Sequence, residues 1–250
     1  MTPSEIVGEP LTQLLLAHGP NVPREPLYRA LLEEPLCMAH LAHDAPPGPA
    51  LRLSFGETIR LVESPALRVP VTPLYASGAA MAEAGRGRNY WPDGIERGAV
   101  LEKGAAFPLL RGHPGALIVA DDDHAAAVDA GEIAALADRK LPDDYAADLR
   151  ALLKRNKGRE VARTLARRPL YVLGHPHGGL LMFQREIPAF LHLANADRFA
   201  ARIAAQSGEK AEHGLVAATD LFQNCFRGKL DLIIDPGPHA MVLRPADFRI

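Results

Sequence analysis

Cysteine is scarce in this sequence, and long apolar runs are absent. Only Cys37 and Cys225 occur in 250 residues. Two thiols do not make a disulfide framework, and both lie in apolar segments, so we expect small buried side chains in a reducing cytosol. The apolar run Leu14-Leu15-Leu16 is too short for a signal peptide or a membrane span, and no basic segment precedes it. The sequence therefore predicts a cytoplasmic protein without a membrane partner.

An excess of charge of one sign is also absent. The chain has 28 Lys and Arg against 30 Asp and Glu, for a net charge of −2. This balance gives no general attraction to nucleic acid or anionic lipid. The sequence also lacks a Gly-x-Ser-x-Gly motif, a phosphate-binding loop, a dinucleotide fingerprint and a recognisable Cys-His nucleophile pair. We therefore predict no catalytic residues and no cofactor.

The chain does contain a diverged internal repeat. Residues 72–133 align without a gap on residues 187–248, at an offset of 115. A second block, residues 29–36, aligns on residues 163–170 at an offset of 134. The agreement lies in the positions of apolar residues and turns, which two copies of one fold would share. Such a duplication, which keeps its core pattern and loses polar identity, is more typical of a binding scaffold than of two active sites.

The order of elements predicts an α+β protein. Strands with hairpins and interspersed short helices occur in each half, which favours two similar lobes of mixed or antiparallel sheet with short packed helices. The polar stretch 138–144, which contains Pro142, is the best boundary. We predict a first lobe at 1–140, with an N-terminal helix and an inserted hairpin, and a second lobe at 141–250 that begins with a linker helix.

Several short motifs resemble one known family. The chain has a helix that ends Leu-Tyr-Arg-Ala-Leu-Leu-Glu-Glu-Pro-Leu, then a Val-x-Pro strand, and later Asp235-Pro236-Gly237-Pro238 before Arg244-Pro245-Ala246-Asp247. This order resembles the N-terminal domain of the SseB family, the bacterial enhanced serine sensitivity proteins. The family has Asn where Asp235 stands, and residues 120–123 depart further. The resemblance covers residues 24–137 and 160–250. It implies a bacterial cytosolic α+β module without established catalytic residues, found in regulatory contexts and near polymorphic toxins.

The predicted function is therefore binding rather than catalysis. We expect a non-enzymatic protein that binds another protein, either as an immunity protein that neutralises a toxin or as a regulatory adaptor. Loop 85–94 is the candidate surface, because arginine and aromatic side chains are the usual anchors of protein interfaces. Its predicted binding residues are Arg86, Arg88, Tyr90 and Trp91.

Asp121, Asp122, Asp123 and His124 form the string most similar to a metal site. Three carboxylates and an imidazole could hold a divalent cation, so a metal-dependent hydrolase is the rival function. Adjacent carboxylates at a strand end point in alternate directions, however. The aligned segment 235–239 reads as a plain tight turn. A polar turn is therefore the favoured interpretation, and we predict no metal.

A basic run at residues 150–168 raises a second alternative. Its eight Lys and Arg residues could contact phosphates. No aromatic side chains interleave with them, and no known nucleic-acid motif surrounds them. We therefore interpret the run as a solvated helix face and regard nucleic acid as an improbable partner.

Overall fold

The chain divides into two units, with the boundary directly after Leu141. The structure is a computed structural model that describes residues 9–41, 50–52, 58–87, 95–176, 178–208 and 210–249. The units are Met1–Leu141 and Pro142–Ile250. The predicted lobe boundary falls after residue 140, one residue before this division. Cys37 and Cys225, one in each unit, are buried free thiols.

The first unit combines short helices with a mixed sheet. Its helices are α1 (Glu9–His18), α2 (Arg24–Glu33), α3 (Gly78–Gly87), α4 (Ala106–Leu109) and α5 (Ala130–Ala137). Its strands are β1 (Leu36–Leu41), β2 (Ala50–Arg52), β3 (Thr58–Arg60), β4 (Val62–Ser64), β5 (Val69–Tyr75), β6 (Ile95–Leu101), β7 (Gly115–Val119) and β8 (Ala125–Asp129). The main sheet has the order β6-β1-β5-β7-β8, with β4 also paired to β5, and β2 pairs with β3 as the predicted hairpin.

The core of the first unit lies where helices cover the sheet. Leu36 and Met38 of β1 are alternate strand residues that share one face, and both are buried in this core. Leu11 and Leu15 of α1, one helical turn apart, pack into it together with Ile118 of β7. The apolar periodicity of the sequence thus accounts for the contact between helix and sheet.

The second unit has its own helices and sheet. Its helices are α6 (Pro142–Lys154), α7 (Gly158–Leu165), α8 (Leu193–Ser207) and α9 (Ala218–Gly228). Its strands are β9 (Pro169–Gly174), β10 (Glu186–Phe190), β11 (Glu212–Ala217), β12 (Asp231–Ile234) and β13 (Met241–Leu243), in the sheet order β11-β9-β10-β12-β13. Phe222 of α9 stacks on Phe248, with ring centroids 5.0 Å apart. Between β9 and β10, Leu180 and Phe183 form isolated bridges to Gly174 and Glu186.

The two sheets have the same strand order and directions. Along each order, the third neighbouring pair (β5 with β7, β10 with β12) is parallel, and the other neighbours are antiparallel. Cys37 pairs with Tyr75, and Tyr171 pairs with Phe190. These pairs are related by the offsets of 134 and 115 found in the sequence. The pairings of β1 with β6 and of β9 with β11 are related in the same way.

One strand departs from the gapless alignment. Thr72 pairs with Ala116, 44 residues later, whereas Ile187 pairs with Leu232, 45 residues later. The second unit therefore has one additional residue between its parallel strands. The predicted α+β class is confirmed, with helices and mixed sheets in both units. Descent of the units from one duplicated ancestor stays a proposal, which the shared strand order supports.

Candidate functional site

The loop chosen from the sequence falls mostly outside the described residues. Arg88, Tyr90 and Trp91 lie in the undescribed segment 88–94. Arg86 lies in α3, but its side chain is not among those described. All four side chains thus lie outside the described part of the chain, and an interface around this loop stays a prediction.

The acidic string between β7 and β8 is a hydrogen-bonded turn. Asp121 accepts hydrogen bonds from the backbone N–H groups of Asp123 (2.9 Å) and His124 (2.8 Å). Its Oδ1 also lies 2.8 Å from Nδ1 of His124. Burial alone would raise the pKa of the Asp121 carboxyl, but these hydrogen bonds lower it overall. Within the described ranges, no group of three His, Cys, Asp or Glu side chains is placed to hold a metal ion.

The basic run does not form one surface. Its residues are spread over α6, α7 and the segments that follow each helix, and Lys157 forms an ion pair with Glu160 at 2.9 Å. Arg168, at its end, is buried, while Arg150 lines a cavity of the second unit. Nucleic-acid binding would require these side chains on one open face, and Arg150 and Arg168 are not available for such a face.

That cavity is the most site-like feature of the described chain. It has a volume of about 460 Å³ and lies where β10 and β12 end and α8 begins. The carboxyl ends of parallel strands are where ligands bind in many open α/β sheets. Residues from α6, from α8 and from segment 235–239 line it. The motif Asp235-Pro236-Gly237-Pro238, predicted to be only a turn, thus forms one wall.

Asp235 holds the strand ends and the helix together. Its Oδ1 accepts a hydrogen bond from the backbone N–H of Leu191 (3.2 Å) and another from Nδ2 of Asn195 (3.0 Å). Its own N–H donates to the carbonyl of Ala189 at 2.8 Å. Asp235 adopts a left-handed conformation with φ of 50°, which Asp and Asn tolerate better than most residues. One oxygen of the carboxylate is therefore occupied by structural donors.

Three arginines give the cavity its cationic wall. Arg150 comes from α6, while Arg198 and Arg202 lie one turn apart on α8. Nη2 of Arg198 donates to Oδ1 of Asn195 at 3.3 Å. The Arg202 guanidinium lies 4.6 Å from the centroid of the Phe199 ring. Arg198 and Arg202 are exposed, and Asn195 and Phe199 contact their guanidinium groups at the edge of the cavity.

An aromatic row runs from the cavity to an exposed patch. Phe190 and Phe199 line the cavity, and their ring centroids are 5.3 Å apart. Phe183 meets Phe199 edge-on at 6.0 Å, yet 42% of Phe183 is exposed. Met182, beside it in sequence, is also exposed. Phe183, Phe199 and Phe190, called here the aromatic row, thus connect solvent to the cavity.

A buried guanidinium lies next to the end of β10. Arg168 is only 3% exposed, and its Nη2 donates to the carbonyl of Leu191 at 3.3 Å. It also lies over the Tyr145 ring, 5.0 Å from the centroid. Among the described residues its Nε and Nη1 have no hydrogen-bond partner. A buried cation without a carboxylate partner is costly, and it adds positive potential to its surroundings.

The sequence held only partial signs of this site. Arg198 and Arg202 have i, i+4 spacing, which places them on one side of a helix. Phe190 ends β10 and Asp235 follows β12, and the alignment of the two copies had already indicated strands at these places. Nothing in the sequence brings Arg150 to α8, because that proximity comes from the packing of α6 in the folded unit.

Known proteins give no guide to this site. No family model, curated protein or solved structure matches the chain. The resemblance to the SseB family therefore stays a prediction. Within the described ranges, every helix is too short or too polar to cross a bilayer.

Proposed function

We propose that this chain acts in the bacterial cytoplasm by binding another protein, through the exposed part of the aromatic row in its second unit. One observation carries the proposal: Phe183 is exposed, packs on Phe199 and lies in a row flanked by Arg202. Aromatic and arginine side chains contribute most of the energy at protein interfaces. An immunity protein that neutralises a toxin and a regulatory adaptor both fit this mode of action.

The cavity offers no nucleophile of the hydroxyl, thiol or amine kind. The described lining includes no serine, threonine, cysteine or lysine, and Asp143, Asp235, His192 and His239 are its groups that could exchange a proton. Oδ1 of Asp235 is held by two hydrogen-bond donors, which supports a structural role for that oxygen. A metal-dependent hydrolase at residues 121–124 has less support, because Asp121 is occupied by its own turn.

The test begins with capture of the partner from the native host on the immobilised full chain. Titration calorimetry then compares the parent chain with Phe183→Ala. We expect this variant to lose about 1–3 kcal/mol of binding free energy, because an exposed aromatic anchor is removed. Phe226→Ala is the matched control: Phe226 on α9 is 43% exposed and does not line the cavity. Its affinity should equal that of the parent chain.

The opposite pattern would contradict the proposed surface. If Trp91→Ala or Arg88→Ala weakens binding while Phe183→Ala does not, the partner contacts the loop of the first unit instead. Co-expression separates the two modes of action: an immunity protein restores growth to cells that make its partner toxin, whereas an adaptor does not.

A further inference from the structure

The charge balance of the cavity in the second unit is positive. Arg150, Arg198 and Arg202 supply three cations, and Asp143 and Asp235 are the carboxylates of the described lining. Asp235 keeps its negative charge, because its hydrogen bonds come from the neutral donors of Leu191 and Asn195, so three arginines exceed two carboxylates by one charge. Arg168 adds a further buried cation beside Leu191. The cavity is therefore suited to an anion.

The donors of the cavity match an oxyanion in particular. A guanidinium presents a planar pair of N–H donors that fits the two oxygens of a carboxylate or phosphate. These groups come from two helices, so they can approach one anion from different sides. His192, Asn195 and His239 line the same space with further polar atoms.

The rest of the cavity is too large and too apolar for an inorganic ion alone. Its volume of about 460 Å³ falls within the usual range for small-molecule sites. Phe190, Phe199, Pro236 and Pro238 supply an apolar wall. A ligand with an apolar or aromatic body and one anionic end would contact both kinds of wall.

We propose that this cavity binds a small organic oxyanion, in which a carboxylate or phosphate is attached to an apolar body. The anionic end lies among Arg150, Arg198 and Arg202, and the body lies against Phe190 and Phe199. The group has two possible sources, a free small molecule or a side chain of the protein partner, and the chemistry of recognition is the same for both. This inference does not depend on the proposed protein interface.

The first test uses phenyl phosphate and benzoate as probes, titrated by calorimetry into the full chain. We expect one site per chain, and weaker binding by about tenfold or more in Arg198→Gln and in Arg150→Gln, because each change removes a charged hydrogen-bond donor. Arg159→Gln is the control, since Arg159 is exposed on α7 and carries the same charge outside the cavity. Its affinity should remain unchanged.

Two further variants separate recognition from a general effect of charge. Asp143→Asn removes a carboxylate of the lining, so affinity for phenyl phosphate should rise severalfold. Phe199→Leu should weaken phenyl phosphate more than inorganic phosphate, because only the phenyl group contacts that wall. Circular dichroism of each variant checks that the fold is retained, and Arg198→Lys provides a milder change that keeps the charge.

The probe titrations can support or overturn the proposal. Absence of binding by both probes at millimolar concentration overturns the proposal, as does binding that Arg198→Gln and Arg150→Gln leave unchanged. Once a protein partner is in hand, saturating phenyl phosphate distinguishes the sources. Competition with the partner assigns the anionic group to that protein, and undiminished partner binding assigns it to a free ligand. Loss of the proposed protein interface would leave the probe titrations unaffected.

Discussion

Asp235 shows how one side chain can determine the geometry of a cavity. Its carboxylate is the acceptor shared by the end of β10 and the first turn of α8. Its left-handed backbone turns the chain out of β12 into the cavity wall. Backbone strain of this kind persists where surrounding interactions determine it, and such positions cluster at functional sites.

Replacement of Asp235 should therefore lower stability in a graded way. Asp235→Ala removes both hydrogen bonds and places a β-carbon without polar atoms in the left-handed region, so we expect a loss of about 1–3 kcal/mol in the free energy of unfolding. Asp235→Asn keeps an oxygen that can accept from both donors, and it should lose less. Urea denaturation followed by circular dichroism measures both. Equal losses would mean that the carboxylate charge, rather than its hydrogen bonds, matters here.

At the scale of elements, a buried polar cluster joins α2 to the start of α5. Oε2 of Glu132 accepts from the backbone N–H of Asp129 (2.6 Å), and Oδ1 of Asp129 accepts from that of Glu132 (2.8 Å), which forms a capping box. Tyr28 of α2 donates its hydroxyl to Glu132, and Arg24 forms an ion pair with it at 2.5 Å. The helix start and the neighbouring helix therefore share one carboxylate.

Removal of this carboxylate should destabilise the first unit strongly. Glu132→Ala leaves Tyr28 and a backbone donor without their acceptor, so we expect a loss of about 2–4 kcal/mol. Glu25→Ala is the comparison, since it breaks an exposed pair with Arg29 within α2 and should cost under about 1 kcal/mol. Chemical denaturation of both variants provides the measurement. Similar losses would show that the cluster contributes no more than a surface ion pair.

The same carboxylate predicts a pH dependence. Burial, and then the charge of Asp129, raise the pKa of Glu132 above its ordinary 4.5, while Arg24 opposes the shift. The folded state then binds more protons than the unfolded chain between these pKa values, so this contribution to stability is present below pH 4.5 and is lost as pH rises through the folded-state pKa. Glu132→Gln should flatten that decline in urea titrations across pH. An unchanged slope would contradict the assignment.

At the scale of the whole molecule, the repeat in the sequence reproduced most of the compared strand registers and missed one. The offsets of 134 and 115 reproduce how β1 pairs with β5 and β9 with β10, because those strands have distinct apolar and turn positions. The offset of 115 aligns β7 with β12 one residue away from the register that the two sheets show. Leu232, Ile233 and Ile234 are all apolar, so their pattern has no alternation to fix which face each side chain takes.

The site was less predictable than the fold. Arg150 and Arg198 are far apart in sequence, and only tertiary packing places both at one cavity. The Asp235 motif was visible as a turn, but a turn motif carries no information about what lies across from it. The Asp121 turn shows the opposite error. Its adjacent carboxylates look like a metal site in the sequence, but in the fold Asp121 accepts hydrogen bonds from the backbone of its own turn.

Each unit has its own sheet, and the second should fold without the first. We expect the fragment 142–250, which has the size of an ordinary domain, to unfold cooperatively and to keep its affinity for phenyl phosphate. Thermal unfolding and calorimetry on this fragment, beside the full chain, make the comparison. A non-cooperative transition would show that the second unit depends on contacts from the first.

The correspondence of α3 with α8 has a consequence for how the chain evolves. Both helices begin three residues after the end of the preceding strand, Tyr75 in one unit and Phe190 in the other. Where α8 has Asn195, Arg198 and Phe199, the offset of 115 places Ala80, Glu83 and Ala84 in α3. Of these two helices, only α8 would be under purifying selection from a ligand. Among homologues, α3 should therefore accept substitutions that only its packing restricts, while α8 keeps its arginines.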